Sequence, residues 1–110
     1  MTENQLLDAI RRLCARHHVW HYHAASVPVA PRFAGFPDLV LLGTHAGAFR
    51  EIKTATGRTT PAQWAVGARM RAAGLDWAIW RPADLASGRV EEEIAALSGR
   101  VPWGEHRCAA

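Results

Sequence analysis

The chain has 110 residues, of which 49% are hydrophobic and 21% are charged, as expected for one globular domain and too few for two. No apolar run approaches the ~20 residues that a helix needs to cross a bilayer, and the polar N-terminal segment is unlike a secretion signal. We therefore expect a soluble cytoplasmic protein whose two cysteines, Cys14 and Cys108, are reduced. A formal net charge of +3 permits a polyanionic partner without requiring one.

The basic residues are unevenly divided between two types. Twelve of the thirteen are arginine, and Lys53 is the only lysine. A GC-rich genome would account for the excess of arginine, but not for the position of the one lysine. Arginine is a broad, forked cation, whereas lysine is a compact charge that can approach a single oxygen and orient a water molecule. Lys53 is therefore a candidate for a site that cannot use arginine.

The first predicted element is a helix from about Thr2 to Arg16. Thr2 and Gln5 form a capping-box pattern, and an apolar stripe at helical spacing is predicted to face a sheet. Glu3 falls on the inner edge of that stripe. It is either a first-turn acid favoured by the helix dipole or an acid beside a metal site. The stripe consists of Leu6, Leu7, Ile10, Leu13 and Cys14.

The aromatic, β-prone segment 19–24 is the predicted first strand. His21 and His23 share a face of it, and the sequence leaves open whether they contact a phosphate or are partly exposed imidazoles. A zinc site is disfavoured here because no acid or cysteine nearby completes a ligand set. The proline- and glycine-punctuated segment 25–36 is predicted to be a loop, with Arg32 as a candidate phosphate contact.

Residues 35–53 have the pattern of a β-hairpin. Leu39–Leu42 form a continuous apolar run between a proline and a glycine, which predicts a strand covered on both faces. Residues 43–47 form the predicted turn, and residues 49–53 form the partner strand.

Three charged side chains stand near one end of this hairpin. Asp38 lies at the entrance to its first strand, and Glu51 and Lys53 lie at the end of its second. Because strand side chains alternate between faces, Glu51 and Lys53 project together while Ile52 points to the opposite layer. Two carboxylates and one ammonium group are therefore predicted to converge.

A second helix has a strong start signal. Thr60 is the predicted N-cap, Pro61 the first helical residue, and Gln63 completes a capping box. Gln63, Gly67 and Met70 share a face that points inward, where a polar side chain needs a partner. Gln63 either caps its own helix at the Thr60 amide or contacts the hairpin site, and both roles stay open.

The remaining segments are one strand and two helical pieces. Residues 75–80 alternate as a strand, Pro82 begins a short helical turn, and the last helix has apolar residues at helical spacing. Its acids at 91–93 are predicted to be a solvated face. The α-β-β-β-α-β-α order indicates one α/β domain over residues 1–98, with a tail at 99–110.

The hairpin acids suit a metal site for phosphodiester hydrolysis. Two carboxylates can hold a hard cation such as Mg²⁺, which prefers oxygen ligands and keeps waters for phosphate, and the Ile52 carbonyl is a natural third ligand. Such a cation activates water and neutralises phosphate charge, while Lys53 orients the water or stabilises the added charge. In the alternative, Glu51 and Lys53 are an exposed cross-strand pair and Asp38 is a turn former after proline.

These motifs resemble the PD-(D/E)xK nuclease superfamily and, within it, the small stand-alone VRR-NUC domains often carried by phages and bacteria. Residues 35–38 (Gly-Phe-Pro-Asp) are similar to the family's Gly-x-Pro-Asp. Residues 51–53 (Glu-Ile-Lys) are similar to its Glu-x-Lys, and residues 57–63 to the stretch that leads to a helical glutamine. The similarity extends from about Glu3 to Leu97.

The resemblance implies a restriction-endonuclease-like core, with a central mixed β-sheet flanked by helices, and Mg²⁺- or Mn²⁺-dependent cleavage of DNA. Carried over by motif, Asp38 and Glu51 bind the metal, Lys53 is catalytic and Gln63 assists. Glu3 matches the first-helix acid of many relatives, which is the least specific of these matches.

The resemblance also bears on partners. Stand-alone members resemble Holliday-junction resolvases and tend to form homodimers, which implies branched or flapped DNA as substrate in a bacterial or phage-infected cell. A small chain that binds mainly through phosphates would select shape over sequence, and Arg58 and His23 join Arg32 as candidate phosphate contacts. The alternative is a module of the same fold that binds nucleic acid or protein without cutting.

Overall fold

Four strands form one mixed sheet in the computed structural model, which describes residues 1–24 and 33–99. The strands are β1 (Trp20–His23), β2 (Leu39–Leu42), β3 (Gly47–Ile52) and β4 (Trp77–Trp80). They lie side by side in chain order, with β2 antiparallel to both β1 and β3, and β3 parallel to β4. The predicted α/β class, a mixed sheet flanked by helices, is confirmed.

The helices follow the predicted order, and the short helical turn predicted at Pro82 is present before the last helix. They are α1 (Glu3–Arg16), α2 (Pro61–Ala72), α3 (Pro82–Ala86) and α4 (Arg89–Ser98). Both predicted capping boxes are present, because the Thr2 and Thr60 hydroxyls each accept the amide of the glutamine three residues later. Each glutamine side chain accepts in return the backbone N–H of its threonine.

The main core lies between one face of the sheet and helices α1 and α4. Because apolar side chains of α1 recur on one stripe, its inner face packs against alternate residues of β2 and β3. The buried members from the strands and the last helix include Leu39, Leu41, Ala48, Ile52, Trp80, Val90, Ile94 and Leu97.

The opposite face of the sheet is covered unevenly. Helix α2 packs over β4, where Gly67 lies so close to Trp77 that a Cβ would stand 2.5 Å from its indole ring. Over β2, in contrast, Leu42 is exposed, so the prediction that this strand is covered on both faces is wrong. An apolar run cannot show whether a helix from elsewhere in the chain reaches its second face.

An arginine on the core side of β3 forms the main buried ion pairs. Arg50 is 3% exposed, and it donates to Glu93 Oε1 at 3.1 Å and pairs with Asp76 Oδ1 at 3.0 Å. It also lies over the ring of Trp80, whose indole N–H donates to the same Glu93 oxygen. Glu93 therefore points inward, and the prediction of a solvated face over residues 91–93 is wrong at this position because its partners come from distant strands.

The remaining predictions concern membrane-spanning helices, Arg32, the cysteines and the C-terminal tail. No helix within residues 1–24 and 33–99 is long and apolar enough to cross a membrane. Arg32, Cys108 and the predicted tail beyond Gly99 lie outside the described residues. Cys14 is buried and unpaired by any disulfide in that part of the chain.

Candidate active site

Asp38 and Glu51 meet at neighbouring ends of β2 and β3. The register pairs Leu39 with Arg50, so the residue before β2 stands beside the residue that follows Arg50. Asp38 Oδ2 accepts the backbone N–H of Ile52 at 2.9 Å, which fixes this carboxylate against β3. The two acids are therefore on the same side of the sheet, and close together.

Burial and charge together perturb Glu51. Its side chain is 2% exposed, and desolvation, the Asp38 charge and a shared hydrogen bond with Asp38 raise its pKa to about 8, against the smaller lowering effect of Lys53. A like charge and a dry environment both disfavour the ionised carboxylate. This burial excludes the alternative in which Glu51 and Lys53 decorate an exposed surface.

The two oxygens of Glu51 have different surroundings. Oε2 accepts the side-chain amide of Gln63 at 2.7 Å and lies 3.6 Å from the Lys53 ammonium nitrogen. Oε1 is buried and has no hydrogen-bond partner of normal geometry in the described part of the chain, although Asp38 is near enough to share a proton with this carboxyl group. A buried oxygen without a hydrogen-bond partner lowers the stability of the folded protein, and such atoms are rare unless they serve a site.

Gln63 performs both roles that the sequence left open, at the same time. Its carbonyl oxygen accepts the Thr60 backbone N–H at 2.8 Å while its amide nitrogen donates to Glu51. The α2 N-terminus reaches the site because Gly35 has a positive φ and approaches Ala62 closely. A Cβ at Gly35 would stand 2.4 Å from the Ala62 carbonyl oxygen, so only glycine permits this contact.

Arg81 holds the loop that follows Lys53, and sequence reasoning missed it. Its guanidinium donates to the carbonyl oxygens of Thr54 and Gly57 at 2.7 and 2.8 Å. The Lys53 backbone N–H donates to the Trp80 carbonyl. Lys53 is therefore hydrogen-bonded to β4, and the loop that Arg81 holds follows it directly in the chain. The only sequence signal was an arginine at the end of a strand, which by itself predicts no contact.

The donors at the site fit a hard divalent cation. The free oxygen of Glu51 and the carboxylate of Asp38 are the oxygen ligands that Mg²⁺ and Mn²⁺ accept. Continuing the register places Pro37 opposite Ile52, and since proline has no N–H, it cannot donate to the Ile52 carbonyl. The Ile52 carbonyl oxygen, on the edge of β3 that holds Asp38, is therefore a candidate third metal ligand.

This donor set contains two acids and not three. In residues 1–24 and 33–99, no three His, Cys, Asp or Glu side chains form a group that could hold a metal. Glu3 is exposed at the start of α1 and does not join Asp38 and Glu51 in such a group. A cation here would complete its coordination with the backbone carbonyl, water and substrate oxygens, which is usual for Mg²⁺.

The candidate phosphate contacts lie at different places. Arg58 is exposed in the loop beyond Lys53. His23 pairs with Leu39 in the β1–β2 register, and since Leu39 points into the core, His23 projects to the side of the sheet away from Glu51. The structure therefore brings Asp38, Glu51, Lys53 and Gln63 together, but it does not bring His23 onto their face.

Comparisons of the chain with protein-family models, with curated proteins and with solved structures give no match.

Proposed function

We propose that the protein is a metal-dependent endodeoxyribonuclease of the PD-(D/E)xK type, with a restriction-endonuclease-like core and the VRR-NUC motif order. One observation carries the proposal. Glu51 is almost completely buried, and within residues 1–24 and 33–99 no N–H group donates to its Oε1, which lies beside Asp38. Its other oxygen lies 3.6 Å from the only lysine of the chain. A structural ion pair would satisfy both oxygens, whereas a cation site needs one to be free.

Asp38, Glu51 and the carbonyl of Ile52 would hold one Mg²⁺ or Mn²⁺. When bound, the cation supplies an activated water and neutralises negative charge on the phosphate. It would also offset the burial of Glu51 and its repulsion from Asp38, which together keep the pKa of Glu51 high. The raised pKa of Glu51 and its free oxygen are thus two consequences of one arrangement.

Lys53 and Gln63 have separate tasks in this account. The Lys53 ammonium is a compact charge that can contact one phosphate oxygen or orient the attacking water as negative charge develops. Gln63 donates to Oε2 of Glu51, which fixes the rotation of the carboxylate and directs Oε1 toward Asp38. Lys53 is the catalytic residue, and Gln63 is a positioning residue.

The proposed substrate is branched or flapped DNA, cut by a homodimer in the cytoplasm of a bacterial or phage-infected cell. A chain of 110 residues with a net charge of +3 has little surface for reading base edges. Contacts to phosphates fix the orientation of DNA but carry no sequence information. Selection by shape follows from this, with Arg58 as a candidate contact.

Cleavage assays with Lys53 variants test the proposal. Labelled four-way junction, flap and linear duplex of shared sequence are incubated with the protein and Mg²⁺, with EDTA as the metal-free control. The wild type should cut the branched forms in a Mg²⁺-dependent manner. Lys53→Ala should lose at least about 100-fold in rate and keep the fold, and Lys53→Arg should stay strongly impaired because its charge is broader.

Arg69→Ala is the matched control, since it removes one exposed cation from the outer surface of α2 and should leave the rate unchanged. If wild type and Lys53→Ala both bind DNA and neither cuts, the protein is a binding module and the enzyme proposal is wrong. Equal cutting of junction and linear duplex would contradict selection by shape alone.

A further inference from the structure

The face of the sheet that carries Glu51 continues into an exposed aromatic surface. Trp20 and Tyr22 of β1 are 77% and 54% exposed, and Leu42 of β2 is 52% exposed. Helix α2 packs against β4 on this side, and α1 contacts β1, but these three side chains on β1 and β2 stay more than half exposed. A contiguous group of large, exposed apolar side chains often marks a binding surface, whereas single exposed apolar residues are common and need no explanation.

The strand register shows where this surface lies relative to the site. Tyr22 pairs with Val40, which pairs with Phe49, and Trp20 pairs with Leu42. These residues form two rows across the sheet. The first row is two residues along the strands from Asp38 and Glu51, or about 7 Å, and the second is about 14 Å away.

The segment that leads into Asp38 extends the aromatic surface. Phe36 contacts Phe49 edge to face, with ring centroids 6.1 Å apart and planes at 88°. Phe33 packs against Phe36 at 5.8 Å and is 71% exposed. We call the set formed by Trp20, Tyr22, Leu42, Phe33, Phe36 and Phe49 the aromatic face.

The composition of this face favours flat, uncharged groups. Val40 and Gly47 complete the two rows beside the members of the aromatic face, and no residue in either row is charged. Phosphates therefore have no cationic partner on it, whereas the adjoining site offers Lys53 and the proposed cation. Bases stack on exposed aromatic rings with about 1–3 kcal/mol each, whatever their sequence.

We propose that the aromatic face stacks unpaired bases of the DNA strand that is cut at Asp38 and Glu51. The inference rests on the proposed nuclease function and specifies its substrate as DNA with single-stranded nucleotides beside the scissile bond. At a rise of about 3.4 Å per nucleotide, bases two to four nucleotides from that bond reach the two rows. Bases in an intact duplex stack on each other and are not available to it.

A second copy of the chain is the competing occupant of this face. Because the first row lies about 7 Å from the carboxylates, a copy seated on it would narrow the entrance that a phosphate must use. DNA bases beside the scissile phosphate use the same entrance without blocking it. The face therefore fits the substrate strand better than a homodimer contact.

Single-stranded DNA binding by surface variants tests the inference. Fluorescence anisotropy of a labelled single-stranded oligonucleotide and of a labelled duplex is measured in Ca²⁺ without Mg²⁺, for wild type, Trp20→Ala, Tyr22→Ala and Tyr22→Phe. Trp20→Ala and Tyr22→Ala should each weaken single-strand binding about 5- to 150-fold and leave duplex binding unchanged. Tyr22→Phe keeps the ring and should bind like the wild type.

Two controls separate stacking from general damage. Leu75→Ala shortens an exposed apolar side chain in the turn before β4 and should change nothing. An oligonucleotide with abasic positions two to four nucleotides from the cleaved bond should bind wild type as weakly as Trp20→Ala, and Trp20→Ala should show no further loss. Thermal melts establish that the exposed substitutions leave the fold intact.

The result that would overturn the inference is a Trp20→Ala protein whose single-strand affinity equals that of the wild type. Light scattering that shows a dimer turned into a monomer by Trp20→Ala would also overturn it, since a second copy would then occupy the face. If wild type cuts DNA while both alanine variants bind normally, the inference fails and the nuclease stands. If no DNA is cut but the variants lose binding, the nuclease fails and the base-binding face stands.

Discussion

Arg50 and Glu51 are neighbours on β3, and both are almost completely buried on opposite faces of the sheet. Arg50 is satisfied by the carboxylates of Glu93 and Asp76, by backbone carbonyls and by the ring of Trp80. Glu51, in contrast, has one buried oxygen to which no N–H group of the described residues donates, and its neighbour there is the second carboxylate, Asp38. The two residues are equally buried, and they differ in whether the fold itself satisfies them.

This difference separates a charge that holds the structure from one that serves a site. Removing one partner of a fully paired buried ion destabilises the protein, but the intact pair has no capacity left to bind a ligand. A buried carboxylate beside a second carboxylate retains the capacity to bind a proton or a cation. The pKa directions agree with this, because the pKa of Glu51 is raised whereas that of Glu93 is lowered.

The largest expected effect is on catalysis at Glu51. Glu51→Gln keeps the shape of the side chain but removes the charge that would hold the cation, so Mg²⁺-dependent cleavage of branched DNA should fall by at least about 10³-fold. The fold should be retained, because the substitution removes a desolvated charge. Rate measurements alongside thermal melts check this, and a variant that cuts within tenfold of wild type would show that Glu51 does not bind the metal.

The second largest effect is on stability and not on catalysis, and it concerns Arg50 on the core face of the sheet. Arg50→Met leaves Glu93 and Asp76 without their shared partner and should lower the free energy of unfolding by about 3 kcal/mol or more. Adding Glu93→Gln should recover part of the loss, since it removes a charge that only the exposed Arg89 would still pair and keeps an acceptor for Trp80. Urea denaturation of the three variants measures both steps, and a stable Arg50→Met protein would contradict the structural role.

The two faces should also respond to pH with opposite sign. The raised pKa of Glu51, about 8, means that the folded protein binds a proton that the unfolded chain has lost above its ordinary value of 4.5. The contribution of Glu51 to stability is therefore fully present below pH 4.5 and is lost as pH rises to about 8, by about 1.4 kcal/mol per unit of pKa difference at most. Thermal melts of metal-free protein between pH 5 and pH 9 measure this decline.

Glu93 provides the contrast in that titration. Burial alone would raise its pKa, but hydrogen bonds from Arg89 and Trp80 and the nearby charges of Arg50 and Arg89 lower it, so its contribution is present above the ordinary carboxyl value and is lost as pH falls below it. Glu51→Gln should flatten the decline above pH 5 and leave the acid limb in place. A Glu51→Gln profile parallel to that of the wild type would refute the assignment.

The smallest predicted effect concerns the loop beyond Lys53. Arg81→Met removes the Nη1 group that donates to both the Thr54 and the Gly57 carbonyl, so Lys53 should be held less firmly and kcat should fall about tenfold. KM should be unchanged, because Arg81 points at backbone and not at DNA. Steady-state kinetics separate the two constants, and an effect on KM alone would mean that Arg81 binds substrate instead.

The sequence predicted the elements well because their signals are local. The capping boxes at Thr2 and Thr60 and the apolar run of β2 lie within a few residues of the structure that they produce. The convergence of Asp38 with Glu51 also followed from strand alternation and a short turn. These features depend on periodicity and hydrogen-bond geometry over short stretches of chain.

The features that sequence reasoning missed depend on distant partners. Glu93 resembles its neighbouring acids until Arg50 and Trp80 are brought beside it. The contacts of Arg81 require β4 to lie against the loop after β3, and the exposure of Leu42 depends on where α2 ends its cover of the sheet. No residue spacing within one element carries that information.

The presence of a cation between Asp38 and Glu51 is tested most directly by a crystal of the protein soaked in Mn²⁺, with anomalous density recorded for wild type and Glu51→Gln. We expect one peak within bonding distance of both carboxylates in the wild type and none in the variant. Anomalous density that is absent from the wild-type site, or that persists there in Glu51→Gln, would contradict it.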